Sequence, residues 1–188
     1  GIDRTHNPEF TVLEVYEAYG DRSSMKNLIE GLMPHLCEKV LGTLQVAYGE
    51  AKEMLDFTPP YREIAYRDAV REVMGPDWFD LPVDEARARA EAKGVDIDPS
   101  WNHLMVTHEV YGKVVEKMLR QPTFVTRIPR QFVPLAKTCA DDPELADVFG
   151  QSRQGLGDAV LHLYLRLIRV GAQGEGDGQR ETAVTAGD

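Results

Sequence analysis

Short strand-like and helix-like segments alternate irregularly along these 188 residues, and this irregularity restricts the folds that the chain can adopt. A regular strand–helix–strand alternation, which is typical of a parallel sheet covered on both faces, does not occur. Instead, Val, Ile, Thr and aromatic residues gather between Gly and Pro breaks, a composition that favours short strands. The sequence therefore predicts an α+β fold, an antiparallel sheet flanked by helices. The predicted strands cover residues 9–19, 43–49, 53–58, 63–66 and 123–129.

Helical periodicity predicts four helices between these strands. The first follows the break at Gly20-Asp21, because apolar residues recur at three- and four-residue steps until Gly42 stops them. Pro34 lies inside that pattern and is expected to kink the helix or divide it. The remaining helices are predicted over 67–74, over 83–93, and from a cap at Asp98 or Ser100 to about Leu119.

Composition excludes several classes of function. The net charge of −10 argues against this segment alone holding most of a nucleic acid, which needs a clustered basic face. No apolar run approaches the roughly 20 residues that cross a bilayer, and the chain opens without a signal peptide's apolar stretch, so we expect no membrane partner and a cytoplasmic location. Cys37 and Cys139 are far apart, and the histidines have no ligand spacing, so no metal site is predicted.

Chemistry-bearing residues concentrate in the segment RTHNPEFTVLEVYEAYGD, residues 4–21. Alternate residues of a strand share a face, so Phe10, Glu14 and Tyr16 are expected to point the same way. A carboxylate and a phenol two residues apart can jointly hold a cation, and an aromatic ring at the strand's entry can stack on a flat heterocycle. The structural alternative is a solvated strand face, with His6 and Asn7 as ordinary turn residues.

The segment THNPEFTVLEVYEAYGD resembles the second half of motif 2 of class II lysyl-tRNA synthetases, in which an Arg-Asn-Glu triplet leads through a short loop into it. Gly1 stands just after the position of that triplet. The resemblance continues in order through VLGTLQVAYGE, DFTPPYREIAYRDAVREV, GKVVEKML, QPTFVTRIP and PLAKTC. It covers residues 1–149 and predicts a partial class II catalytic domain there. Residues 150–188 do not align with the family and lack motif 3, and their Gly-rich, polar end predicts a divergent, partly disordered tail.

The resemblance implies roles only for residues that match the motif. His6 and Asn7 correspond to residues near the ATP phosphates and ribose, and Phe10 to the ring that stacks on adenine. Glu14 and Tyr16 correspond to residues that line the pocket for the amino groups of lysine. The resemblance implies no catalytic residue and no metal ligand within this chain.

The implied reaction is the attack of the lysine carboxylate on the α-phosphate of ATP, followed by transfer of lysine from the adenylate to tRNA(Lys). Such a step depends on positioning and on charge neutralisation by arginine and Mg²⁺. The Mg²⁺ ligands are not identifiable in this sequence, and neither the motif 2 arginine, the dimer-forming motif 1 nor the anticodon-binding barrel is present. The family is homodimeric, and this internal portion is expected to be inactive by itself.

Two alternatives remain open at the level of sequence. A paralogue of these synthetases attaches lysine to an elongation factor, but it has a tryptophan and a different stretch after the shared glutamate, whereas EVYEAYGD resembles the tRNA-ligase form. A noncatalytic module that binds a partner through its sheet or helices is the second alternative. Lysine binding without adenylate formation would favour a preserved pocket over such a module.

Overall fold

The computed structural model describes residues 13–48, 52–151 and 182–186. Within these ranges, short 3₁₀ and π-helical turns continue or separate the strands and helices. The strands are β1 (Leu13–Glu17), β2 (Gln45–Tyr48), β3 (Glu53–Asp56), β4 (Arg62–Ala65), β5 (Thr123–Pro129), β6 (Leu145–Gln151) and β7 (Thr182–Ala186). The helices are α1 (Arg22–Leu36), α2 (Tyr66–Met74), α3 (Val83–Glu91), α4 (His103–Val110) and α5 (Glu116–Met118).

The strands form three small sheets. β1 pairs antiparallel with β7, β2 pairs antiparallel with β3, and β5 lies between β4 and β6. β5 runs parallel to β4 and antiparallel to β6, and its register shifts between Thr126 and Ile128, where Arg127 takes a positive φ of 56°. The predicted α+β class is confirmed, and the β4–β5 pair adds a parallel element to the expected antiparallel sheet.

Helix α1 begins and ends where local signals predict. Asp21 is its N-cap: the Ser24 N–H donates to Asp21 Oδ1 at 2.9 Å, and the Asp21 N–H donates to Ser24 Oγ at 3.0 Å. Pro34 does not divide the helix, which runs on to Leu36 and then widens into a π-helical turn that ends at Gly42 with φ of 71°. A glycine suits that last position because it adopts left-handed backbone without steric cost.

The start of the long helix differs from the prediction. Asn102 is the N-cap of α4, and its Oδ1 accepts from the Met105 N–H at 3.0 Å. Asp98 instead accepts from the Ser100 N–H at 2.7 Å and forms a turn before the helix. Helical structure then continues through a π-helical turn, Tyr111–Val115, into α5. Several residues in this stretch can cap a helix, and packing of the following apolar residues selects among them.

Two hydrophobic clusters hold the elements together. In the first, α2, α3 and α4 enclose Trp78, which is fully buried together with Val106 and Val110. In the second, Ile29 of α1 packs with Phe57 and with Phe124 of β5. Each such side chain contributes about 1.5–3 kcal/mol by leaving water. No helix in the described ranges combines the length and apolarity needed to span a membrane.

Candidate functional site

Strand β1 places the two residues predicted to bind lysine on one face. Glu14 lies opposite Thr185 of β7, and Tyr16 lies opposite Ala183, so the two positions alternate with Val15 along the strand. Tyr16 is half-buried, whereas the side chain of Glu14 lies outside the described part of the structure. The strand geometry therefore agrees with the shared face that the sequence predicted.

The residues predicted to bind ATP stay predictions. His6, Asn7 and Phe10 all lie outside the described residues. Their place just before β1 in the sequence is the observation that relates them to the Glu14 and Tyr16 face.

A tight turn fixes the end of β1 against the start of α1. Tyr19 adopts a positive φ of 58°, and a Cβ atom added at Gly20 would lie 2.5 Å from Glu17 Oε2 and 2.9 Å from Ser24 Oγ. Only glycine allows that approach without displacing its neighbours. Both atoms belong to side chains, so a Cβ at this position would require the Glu17 and Ser24 side chains to shift.

A charge network then joins α1 to the three-stranded sheet. Arg22 Nη1 lies 2.9 Å from Glu63 Oε1 of β4, and Arg22 Nε lies 3.1 Å from Asp147 Oδ1 of β6. Lys26 Nζ lies 2.8 Å from the second carboxylate oxygen of Glu63. We call Arg22, Lys26, Glu63 and Asp147 the α1 charge network, and it connects the helix that follows β1 to two strands at once.

The electrostatics of this network centre on Glu63. The hydrogen bond from the Lys26 ammonium holds the pKa of Glu63 below its ordinary value, partial burial opposes that effect, and the Arg22 guanidinium adds to it. Sequence reasoning missed the network, because Glu63 is 41 positions from Arg22 and 37 from Lys26. Helix periodicity gives no signal for partners at such distances.

Two histidines and both cysteines in the described ranges lie against other groups of the protein. His103 Nε2 lies 3.0 Å from the Trp78 carbonyl oxygen, and His108 stacks on Phe132 with ring centroids 3.9 Å apart. Burial raises the pKa of the Cys37 and Cys139 thiols, both of which are free. Across those same ranges, no group of three or more His, Cys, Asp or Glu side chains is arranged to hold a metal ion.

The class of protein follows from comparison with a known family. Residues 1–159 match the family model of class II tRNA synthetases (D, K and N). The matched range includes the motif 2 segment and the elements that surround the α1 charge network. The chain belongs to this family of class II tRNA synthetases.

Within the family, the chain is similar to lysine–tRNA ligases. It is 40% identical to the enzyme of Staphylococcus saprophyticus over 150 residues, which are 79% of this chain and 30% of that protein. It is 41% identical to the Aquifex aeolicus enzyme over 150 residues, 79% of this chain and 25% of that protein. With the Salmonella paratyphi B enzyme it shares 36% identity over 188 aligned positions, 94% of this chain and 37% of that protein.

These similarities confirm the resemblance that motif 2 indicated. The chain spans between a quarter and about two fifths of the length of these relatives. The domain boundary after residue 149 stays a prediction. The family match extends past this boundary to residue 159. Within 150–188, the structure describes only residues 150–151 and 182–186.

Proposed function

We propose that this chain supplies the lysine-binding strand and part of the ATP site of a lysine–tRNA ligase. The observation that supports the proposal most is the placement of Glu14 and Tyr16 on one face of β1 in a chain that is similar to lysine–tRNA ligases. Because the chain covers a minor part of those relatives, the complete reaction, with ATP and tRNA(Lys) as partners, is part of the proposal.

Recognition of lysine follows from the chemistry of the two side chains. A carboxylate at Glu14 attracts the ammonium group of lysine and accepts a charge-assisted hydrogen bond from it, and the phenol of Tyr16 offers a second oxygen on the same face. A negatively charged pocket of this kind rejects the acidic amino acid that other members of the family activate. The pair therefore provides a physical basis for choosing lysine.

Activation requires the lysine carboxylate and the α-phosphate of ATP to meet. We place His6 and Asn7 beside the phosphates and ribose and Phe10 on the adenine ring. The lysine carboxylate oxygen then forms a bond to the α-phosphorus while the bond to pyrophosphate breaks, which gives lysyl-adenylate and pyrophosphate. Correct placement of the two reactants supplies a large part of such a rate enhancement.

Mg²⁺ would neutralise charge on the ATP phosphates when it is bound. The part of the chain that the structure describes offers no cluster of acidic ligands for it. We assign the residues of this chain to the binding and orientation of lysine and ATP. A cytoplasmic location with tRNA(Lys) as acceptor belongs to the same proposal.

Amino-acid selectivity tests the proposal against the rest of the family. Isothermal titration of the 188-residue chain with lysine, aspartate and asparagine should show saturable binding of lysine alone. Preference for aspartate or asparagine would overturn the assignment to lysine. A folded chain that binds none of the three would instead favour a noncatalytic interaction module.

Pyrophosphate exchange tests the adenylate step separately. The sequence predicts that this chain does not catalyse lysine-dependent exchange of pyrophosphate into ATP by itself. Exchange that disappears in a Glu14→Ala variant would support the lysine site and would show that the expectation of inactivity is wrong.

A further inference from the structure

Arg22 occupies a helix position that disfavours a cation. It is the first residue of α1, whose first turn has the sequence RSSM. The N-terminal end of a helix carries partial positive charge, so an arginine there is repelled where an acidic residue would be stabilised. The helix alone therefore does not account for Arg22, and its contacts with other elements must offset the repulsion.

Those contacts come from two strands of one sheet. Arg22 Nη1 donates to Glu63 Oε1 of β4 at 2.9 Å, and Arg22 Nε lies 3.1 Å from Asp147 Oδ1 of β6. β5 lies between these strands, so one side chain connects both outer strands of the three-stranded sheet. The planar guanidinium holds its N–H donors in fixed directions, and a lysine ammonium lacks this fork.

Lys26 adds the middle strand to the same attachment. Its Nζ lies 2.8 Å from Glu63 Oε2 and 5.7 Å from the centroid of the Phe124 ring of β5. Phe124 is fully buried and packs edge-to-face on Phe149 of β6. An ammonium group over an aromatic ring is attracted by the negative face of that ring. The N-terminal part of α1 therefore contacts all three strands.

The α1 charge network is partly shielded from solvent. Its four side chains are between 27% and 36% exposed. Isolated surface ion pairs contribute little, whereas several charges that share partners can form an effective network. Two cations face two carboxylates, so attraction within the network is not offset by surplus charge of one sign.

Only residues 18–21 separate β1 from α1. That connector is compact: Tyr19 has a φ of 58°, and a Cβ atom added at Gly20 would lie 2.5 Å from Glu17 Oε2. The reach of four residues is short, so the position of the helix start restricts where the strand can end.

We infer that Arg22 is a positioning residue for the proposed lysine site. By bonding β4 and β6 it fixes the start of α1 on the three-stranded sheet, and through the short connector it fixes the end of β1. β1 carries Glu14 and Tyr16, so Arg22 acts on lysine through the position of the strand and without contact. The inference rests on the proposed function for its ligand, whereas the attachment of β1 is measurable without one.

Hydrogen exchange of the ligand-free, 188-residue chain tests this attachment. Arg22→Lys keeps the charge but loses the planar fork, so amide exchange in β1 should become at least about fivefold faster. Arg22→Gln, which also removes the charge, should accelerate exchange at least as much. Unchanged β1 exchange in both variants would overturn the inference, and so would wild-type β1 amides that exchange at the rate of an unfolded chain.

The matched control is Arg89→Lys in α3. Arg89 also forms a fork, with Nη1 2.8 Å from Asp77 Oδ1 and Nη2 2.9 Å from Asp77 Oδ2, and its side chain is 35% exposed. The urea midpoint of each variant separates a local effect from a general loss of stability. β1 exchange should accelerate in Arg22→Lys and stay unchanged in Arg89→Lys. Equal acceleration in the two variants would contradict a positioning role.

A double-mutant cycle identifies the partner through which Arg22 acts. Asp147→Asn alone should accelerate β1 exchange, because it removes one acceptor of the guanidinium. The double variant Arg22→Gln/Asp147→Asn should exceed the larger single effect by no more than about twofold, since both changes remove one shared interaction. Single effects that multiply in the double variant would refute the assignment of Arg22 to Asp147.

Lysine titrations of the same variants distinguish the inference from the proposed function. Arg22→Lys should bind lysine at least about threefold more weakly than the wild type, because displaced binding groups lose affinity, and Arg89→Lys should match the wild type. Equal lysine binding by the wild type and Arg22→Lys would contradict the inference and leave the proposed function intact. A wild type that binds no lysine, with β1 exchange accelerated in the Arg22 variants, would contradict the proposed function and support the attachment of β1 by Arg22.

Discussion

At the scale of single residues, the clearest prediction concerns the buried hydroxyl of Thr107. The Trp78 Nε1–H donates to Thr107 Oγ1 at 2.9 Å, and that hydroxyl donates in turn to the His103 carbonyl oxygen at 2.7 Å. Thr107→Val keeps the shape but leaves a buried indole N–H without its acceptor. We expect a loss of about 1–3 kcal/mol in the free energy of unfolding, measured with urea.

An exposed threonine provides the control for that experiment. Thr43→Val replaces a hydroxyl that bonds only within its own turn, so unfolding should change by less than about 0.5 kcal/mol. Similar losses in the two variants would show that the Trp78–Thr107 bond is not a special source of stability.

The charge of Glu63 should make the free energy of unfolding depend on pH. The pKa of Glu63 is lowered in the folded protein, chiefly by Lys26, so its stabilising contribution is present above the unfolded pKa of about 4.3. That contribution is lost as pH falls through the lower folded pKa. Glu63→Gln should therefore cost about 0.2–1 kcal/mol at pH 7, a small amount because the side chain is 36% exposed.

The measurement for Glu63 is urea unfolding of the wild type and variant between pH 7 and pH 3. The difference between them should shrink below pH ~4.3 and also at high salt. A difference that stays constant with pH would contradict a role for the Glu63 charge.

At the scale of elements, locally encoded features were predictable from the sequence. The break between β1 and α1, the stop at Gly42 and the strand β5 all follow from signals within a few residues. The α4 start at Asn102, the parallel β4–β5 pairing and the α1 charge network were not predictable, because each depends on packing between segments distant in sequence. Alternation along a strand specifies a face but no partner.

Removal of the N-cap of α1 tests how far the cap stabilises the first turn of that helix. Asp21→Ala removes the acceptor for the Ser24 N–H and should cost about 1 kcal/mol. Hydrogen exchange in the first turn of α1 should accelerate, while Ser23→Ala, at an exposed position in the same turn, should leave it nearly unchanged. Unchanged exchange in the Asp21 variant would mean that packing rather than the cap holds the turn.

At the scale of the whole molecule, membership of the family and the roles of the site residues depend on different observations. Several segments resemble the family in the same order along the chain, so the sequence predicts the family, and comparison with known proteins confirms this prediction. At the site, Glu14 and Tyr16 occupy alternate positions of β1 and so share one face of the strand. The roles of His6, Asn7 and Phe10 stay predictions, because these residues lie outside the described ranges. Resemblance to a motif can assign such roles, but the composition of a single strand cannot distinguish a binding face from a solvated one.

The lysine affinity of two matched variants tests whether strand β1 binds lysine. Glu14→Gln removes one charge from the proposed binding face, and Glu17→Gln removes one from the opposite face of the same strand. We predict that titration calorimetry will show lysine binding at least about tenfold weaker in Glu14→Gln, since a charge-assisted hydrogen bond is worth about 1.5–3 kcal/mol, and nearly unchanged in Glu17→Gln. Equal affinities in the two folded variants would contradict the assignment of β1 as a lysine-binding strand.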